Sequence, residues 1–171
     1  MIEAFKEIEK EENGVFHLET EKHSFDTGVH AEQDTYYLAL KYRRFDILVE
    51  YGMGIEAYGR FYLHLPEQSR RSQFTIEAKN TLRNLFGRKE AFPFKLTCSS
   101  SNLLDFFEQS STLKIIAEQY KTFNYDPVIY GKNDDGKFLV QAYFHTAFKE
   151  RTEVIRPMLA FYKELIDYIQ P

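Results

Sequence analysis

The hydrophobic pattern is clearest in the last third of the chain. An apolar run at 128–130 leads through the turn-rich stretch 133–136 into residues 137–145, where apolar and polar residues alternate with period two. This pattern predicts a β-hairpin over residues 128–145. Beyond it, apolar residues recur at intervals of three and four, which predicts a closing helix over residues 152–169 with one apolar side. An apolar strand face followed by an apolar helix stripe indicates a helix that lies on a sheet.

The earlier part of the chain, from 36 to 98, predicts mainly strands. Segments rich in aromatic and branched residues are separated by glycine, proline or polar stretches, which is typical of an antiparallel meander. The predicted strands lie at 36–42, 45–51, 56–65, 74–78 and 92–98, and a weaker strand pattern lies at 15–19. An amphipathic pattern predicts a short helix over 2–12 that ends at the Asn13-Gly14 pair. A short helix near 79–87 and helical residues at 101–123, with serines at N-cap positions, complete the prediction.

Together these elements predict one α+β domain over residues 1–171. Its antiparallel sheet has about five to seven strands, its helices pack mainly on one face, and the C-terminal helix is the long one. The chain length suits one domain, which should bury about 70% of the surface that the unfolded chain exposes. The 16 Phe and 12 Tyr residues can supply much of the core, because each aromatic side chain buries on the order of 150 to 250 Å².

Composition narrows the classes of partner and the compartment. A formal net charge of -4 argues against a dedicated nucleic-acid binder, whose affinity depends largely on a basic surface. No uninterrupted apolar run exceeds five residues, whereas a membrane-spanning helix needs roughly twenty. Cys98 is the only cysteine, so an internal disulfide is impossible and a reducing compartment is favoured. We therefore expect a soluble, cytoplasmic protein that does not act on a membrane or a nucleic acid.

Two predicted strands end in the same Tyr-x-His pattern on the side away from the core. Alternation places Phe61 and Phe144 inward. The outward residues are Arg60, Tyr62 and His64 on one strand, and Tyr143 and His145 on the other. If the strands were neighbours, or two walls of a cleft, these side chains would offer a cation, phenol donors and imidazoles to an anionic or carbonyl-bearing ligand, with the two histidines within about 10 Å of each other. The alternative is an ordinary solvent-exposed sheet face, on which such residues are common.

Other chemical candidates are weaker. His17, His23 and His30 do not have the spacing of ligands on one helical face, and no cysteine framework completes a metal site. Cys98 precedes three serines at a helix N-terminus, where a thiol could be nucleophilic, but strand alternation places it on the core side instead. No phosphate-binding, dinucleotide-binding or hydrolase motif occurs. The sequence therefore predicts no catalytic residue, no metal and no cofactor.

Three functions are consistent with these observations. The first is a non-enzymatic binding or assembly module that binds a protein partner or self-associates, since the aromatic residues are numerous enough to leave some for an exposed patch. The second is a small-molecule-binding protein, or an enzyme, with a Tyr/His/Arg-lined pocket. The third is an acidic chaperone-like or regulatory adaptor. Shape separates the first two, because a concave polar lining favours a small ligand and a flat apolar surface favours association.

Overall fold

A computed structural model of the chain describes residues 1–66, 72–79, 92–123, 125–149 and 151–169. The elements in these ranges, in chain order, are α1 (Ile2–Glu12), β1 (Val15–Ser24), β2 (His30–Tyr42), β3 (Phe45–Met53), β4 (Tyr58–Pro66), β5 (Phe74–Ala78), β6 (Phe94–Cys98), α2 (Ser101–Gln109), α3 (Ser111–Phe123), β7 (Val128–Asp134), β8 (Lys137–His145) and α4 (Ile155–Ile169). The predicted short helix near 79–87 falls almost wholly outside the described residues.

The strands of the described chain form one antiparallel sheet in the order β1-β2-β3-β4-β8-β7-β5-β6. The predicted α+β class and antiparallel sheet are confirmed, but the predicted size of five to seven strands is too small. The sheet is larger because β1 is a full strand of ten residues rather than a short segment at 15–19. Most of β1 is exposed and polar on both sides, so alternation could not reveal its length.

The hairpin formed by β7 and β8 sets the orientation of the side chains in the centre of the sheet. Asp135 and Gly136 both adopt positive φ, at 41° and 75°, which is the backbone of the two-residue turn that Asp-Gly favours. With this register, Phe144 lies on the buried side of β8. The next strand, β4, pairs with β8, and its Phe61 is buried on the same side of the sheet. His64 and His145 are exposed. The predicted division of these four side chains between core and surface is confirmed.

All four helices of the described chain pack on the same side of the sheet, here termed the covered face. Ring contacts join each helix to a strand on this side: Phe5 of α1 to Tyr51, Phe107 of α2 to Phe74, Tyr120 of α3 to Phe94, and Tyr162 of α4 to Phe61. The Tyr162 hydroxyl also donates to the Phe61 carbonyl oxygen at 3.0 Å. The helices therefore cover one face with aromatic side chains, and the other face of the sheet carries no helix of the described residues.

The helix ends follow the capping residues in the sequence. Asn13 has a left-handed backbone with φ of 51° and ends α1. The Ser100 and Ser110 hydroxyls accept hydrogen bonds from backbone N–H groups in the first turns of α2 and α3, at 3.4 and 3.0 Å, as N-cap serines do. Buried Phe5 and Ile8 hold α1 on the body. Ion pairs to α4 add to this contact: Arg156 with Glu7 and Glu11, and Lys163 with Glu12.

Candidate functional site

The face of the sheet opposite the helices, here termed the open face, carries two continuous rows of side chains. The register of the strands defines both rows. The first row crosses six strands and consists of His17, Tyr37, Glu50, Arg60, Tyr143 and Val128. The second row crosses all eight described strands and consists of Val15, Ala39, Leu48, Tyr62, Gln141, Tyr130, Thr75 and Thr97. Aromatic and aliphatic residues occupy about half of these positions, so the open face is only partly polar.

Glu50 is the centre of a hydrogen-bonded network on the open face. Its carboxylate accepts hydrogen bonds from the Tyr58 hydroxyl at 2.5 Å and the Tyr62 hydroxyl at 3.3 Å, and from Nη1 of Arg60 at 3.4 Å. The Arg60 guanidinium lies over the Tyr58 ring, 4.1 Å from its centroid, and 5.7 Å from the centroid of Tyr143. These contacts fix the positions of the five side chains relative to one another.

The tyrosines of this network are hydrogen-bond donors at neutral pH. Burial and the hydrogen bond to Glu50 raise the pKa of Tyr58 to about 12. Burial and the charge of Glu50 also raise the pKa of Tyr62. Both phenols therefore remain protonated donors at neutral pH, and the Glu50 carboxylate already accepts hydrogen bonds from its neighbours.

The structure brings four of the five residues that the sequence predicted for a ligand site into successive pairs on the open face. Arg60 pairs directly with Tyr143 across β4 and β8, with the Tyr62–Gln141 pair on one side and the Tyr58–His145 pair on the other. Arg60, Tyr62 and Tyr143 belong to the two rows of the open face. They line an open surface with Glu50 among them.

The predicted proximity of His64 and His145 is wrong. His145 pairs with Tyr58, and His64 pairs with Leu139, so six residues along the strand separate the two histidines, or roughly 20 Å at about 3.3 Å per residue. The physical reason is the direction of the strands. Both Tyr-x-His patterns stand at the C-terminal end of their strand, and antiparallel neighbours have their C-terminal ends at opposite edges of the sheet.

Sequence reasoning missed the residue that organises this surface, which is Glu50. The alternation of Phe45, Ile47 and Val49 in β3 does place Glu50 on the outward side. That pattern could have identified Glu50 as exposed. Its position beside Arg60 depends on the register of β3 against β4, which the pattern does not contain.

The other sequence candidates occupy separate positions. His17 stacks on Tyr37 with ring centroids 6.2 Å apart, and the Nδ1 atom of His30 lies 3.0 Å from the Ser24 hydroxyl. Within the described ranges, no group of three or more His, Cys, Asp or Glu side chains could hold a metal ion. Cys98 is half-buried and packs against the core, on the side that strand alternation predicted.

Neither the helices nor comparison with other proteins gives a further guide to the role of this surface. None of the helices in the described parts of the chain is long and apolar enough to cross a membrane. Comparison of the chain with models of protein families, with curated proteins and with solved structures found no match, so the function has to be inferred from the geometry of the open face.

Proposed function

We propose that the protein is a non-enzymatic assembly module whose open face packs against the open face of a second copy. The observation that carries this proposal is the exposure of large side chains in the two rows. Tyr37 is 37% exposed, Leu48 is 41% exposed and Tyr143 is 44% exposed. Aromatic residues and arginine are enriched in protein interfaces, and such anchors contribute most when their positions are already fixed.

The charges of the open face support contact between two copies. Glu50 and Arg60 form an ion pair within each chain, so the centre of the face brings no unpaired charge into an interface. Burial of an unpaired charge would oppose association strongly. In a two-fold dimer the same patch is used twice, and this patch can meet itself without repulsion between like charges at its centre.

The size of the open face also suits a dimer. The second row crosses all eight described strands, which spans about 34 Å at about 4.8 Å between neighbouring strands. Along β4 and β8 the open face extends beyond the two rows, from the Tyr58–His145 pair to the His64–Leu139 pair, which is six residues or about 20 Å, so the open face as a whole covers on the order of 700 Å². Stable interfaces bury about 800 Å² on each partner. Two twisted sheets can pack in this way at about 10 Å from each other, as in β-sandwiches.

Association through the edge strand β1 is less favourable than association through the face. The exposed positions of β1 carry charged side chains, including the ion pair of Lys22 with Glu32 and the contact of Glu21 with His23. Charged residues on an edge strand oppose pairing with the edge of another sheet.

We place the module in the cytoplasm, because its single cysteine cannot form an internal disulfide.

Sedimentation velocity over a wide concentration range tests the proposal. The wild-type chain should form a concentration-dependent dimer, and Tyr143→Asp and Tyr37→Asp should each shift it to monomer, because a charge enters the centre of the interface. Ile115→Asp is the matched control, since Ile115 is 49% exposed on α3, away from the open face, and this variant should still dimerise. A wild-type chain that remains monomeric at every concentration, or a dimer that survives both tyrosine substitutions, would overturn the proposal.

A further inference from the structure

The boundary between β4 and β8 lies at the middle of the described sheet. The strands β1, β2, β3 and β4 lie on one side of it, and β8, β7, β5 and β6 lie on the other. A two-fold axis along this boundary exchanges β4 with β8 of a second copy, β3 with β7, β2 with β5, and β1 with β6. Every described strand then lies opposite a strand of the partner copy, and no other axis parallel to the strands achieves this.

This exchange brings compatible side chains of the two rows together. In the first row, Arg60 faces Tyr143 of the partner copy, and Glu50 faces Val128. The facing pairs of the second row are Tyr62 with Gln141, Leu48 with Tyr130, Ala39 with Thr75, and Val15 with Thr97. None of these pairs joins two charges of the same sign, so the axis meets the requirement that a two-fold interface be complementary to itself.

A third row on the open face adds an attractive pair. It lies two residues beyond the second row and contains Asp46, in register with Lys41, and Lys132, in register with Leu139. Asp46 and Lys132 are both exposed. Within one chain β4 and β8 lie between them, so they are about 14 Å apart and attract each other little through screening solvent. Across the axis, each Asp46 faces Lys132 of the partner copy.

Axes that cross the strands are less favourable. A residue on a two-fold axis meets its own copy, so an axis along the first row brings Glu50 against Glu50 and Arg60 against Arg60. An axis along the second row brings Glu50 against Asp46, and like charges oppose association. An axis between the two rows avoids this repulsion, but it places Asp46 opposite Gly52 and buries its charge without a partner, which also opposes association.

We infer that the two-fold axis of the dimer runs along the strands between β4 and β8, and that each Lys132 pairs with Asp46 of the partner copy. This inference rests on the proposed function, in which the open faces pack together. Within its own chain the Arg60 guanidinium lies 5.7 Å from the centroid of Tyr143. In the dimer it also faces Tyr143 of the partner copy, so aromatic rings of both chains contact the same cation. Packed sheets cross at about 30°, so the facing is most exact beside the axis.

Charge reversal tests the pairing of Asp46 with Lys132. In sedimentation velocity, Asp46→Lys and Lys132→Asp should each weaken the dimer about tenfold, because like charges then face each other at two places. The double variant restores opposite charges, and its dissociation constant should lie within about twofold of the wild-type value. Glu108→Lys is the matched control, because it makes the same change of charge on α2, on the covered face, and it should leave the dimer unchanged.

Distances between spin labels test the direction of the axis. In a Cys98→Ser background, a nitroxide at Val15→Cys on β1 lies three and a half strand spacings from the axis, so the two labels of a dimer should be about 34 Å apart. Mixed dimers of Val15→Cys with Thr97→Cys should give a distance below about 20 Å, since β1 faces β6. An axis across the strands predicts the short distance for Val15→Cys with its own copy.

The outcomes separate this inference from the proposal on which it rests. A wild-type chain that stays monomeric overturns the proposed function, and the position of the axis with it. A dimer in which the Val15→Cys labels lie within about 20 Å of each other, or whose affinity the double charge reversal does not restore, overturns the axis alone and leaves the proposed dimer in place. Circular dichroism of each variant shows that it remains folded.

Discussion

Neighbouring residues of β4 lie in two different environments. The contrast separates the apolar packing that stabilises the fold from the polar contacts that position side chains on the surface. On the covered face, Phe61 and Leu63 are fully buried among side chains of the core. On the open face, Arg60 and Tyr62 are half-buried and take part in the network around Glu50. The same backbone thus supplies dry packing on one side and directed polar contacts on the other. Packing of the first kind dominates folding energy, whereas a fixed polar surface reduces the entropy lost on binding.

Glycines show the contrast at close range. A Cβ at Gly59 on the covered face would lie 2.6 Å from the Phe144 ring and 3.0 Å from the Tyr51 ring, both deeply buried. A Cβ at Gly52 would lie 2.3 Å from the Tyr58 ring on the open face. In both places the absent side chain makes room for an aromatic ring. On the covered face the ring fills the core, and on the open face it is held within hydrogen-bonding distance of Glu50.

Truncation of adjacent residues in β4 gives the largest difference between the faces. Phe61→Ala should lower the free energy of unfolding by about 3 to 5 kcal/mol, because it removes a buried ring and leaves a cavity. Tyr62→Ala should lower it by about 1 kcal/mol, because Tyr62 is half-buried and its hydroxyl contributes one hydrogen bond to Glu50. Urea denaturation of both variants measures the difference. Equal losses would show that the two faces contribute equally to stability.

Alkaline titration separates the tyrosines of the two faces. Burial raises the pKa of Tyr51 and Tyr162 on the covered face well above the ordinary value of 10. On the open face, burial and Glu50 raise the pKa of Tyr58 to about 12. A folded-state pKa above the unfolded value means that the folded protein retains these protons more tightly. The resulting stability is fully present below pH 10 and is lost as the pH rises towards 12 and beyond.

Tyrosinate absorbance and far-ultraviolet circular dichroism, recorded on the same samples, measure this titration. Tyr58 should ionise near pH 12 in the folded chain, and Tyr58→Phe should remove that step. Tyr51 and Tyr162 should ionise only together with unfolding, since their burial excludes the charged form. Ionisation of every tyrosine near pH 10 with the secondary structure intact would contradict the difference between the faces.

The fold was more accessible to prediction from sequence than the site. Alternation in β4 and β8 is local, and it identified Phe61 and Phe144 as core residues because a strand repeats every two residues. The partner of β4 is β8, from a distant part of the chain, and local patterns carry no information on that pairing. Glu50 comes from β3, which directly precedes β4, but its position opposite Arg60 depends on the register of these two strands, which the pattern does not contain.

Antiparallel pairing by itself excludes the proximity of His64 and His145 on neighbouring strands. Each Tyr-x-His pattern lies at the C-terminal end of its strand, and adjacent antiparallel strands have those ends at opposite edges of the sheet. Arg60 and Tyr143 lie nearer the middle of their strands, which is why antiparallel pairing could bring them together.

The smallest predicted effects are those of single hydroxyl groups, and they have opposite signs on the two faces. The Tyr58 hydroxyl donates to Glu50, so Tyr58→Phe should lower the free energy of unfolding by about 1 kcal/mol. Tyr125 is fully buried on the covered side against Phe144 and Phe148, and its hydroxyl has no hydrogen-bond partner among the described residues. Tyr125→Phe should therefore raise the free energy of unfolding by up to about 1 kcal/mol, because it removes an unsatisfied polar group and keeps the ring.

Urea denaturation of the two variants and of the double variant tests this difference in sign. The two changes should add, because Tyr58 and Tyr125 lie on opposite faces of the sheet and no ring contact or hydrogen bond joins them in the described chain. Destabilisation by Tyr125→Phe similar to that by Tyr58→Phe would mean that the Tyr125 hydroxyl forms a hydrogen bond in solution. Polar groups would then stabilise the fold on both faces alike. The contrast between apolar packing on the covered face and polar contacts on the open face would hold for β4 but not for the tyrosines around it.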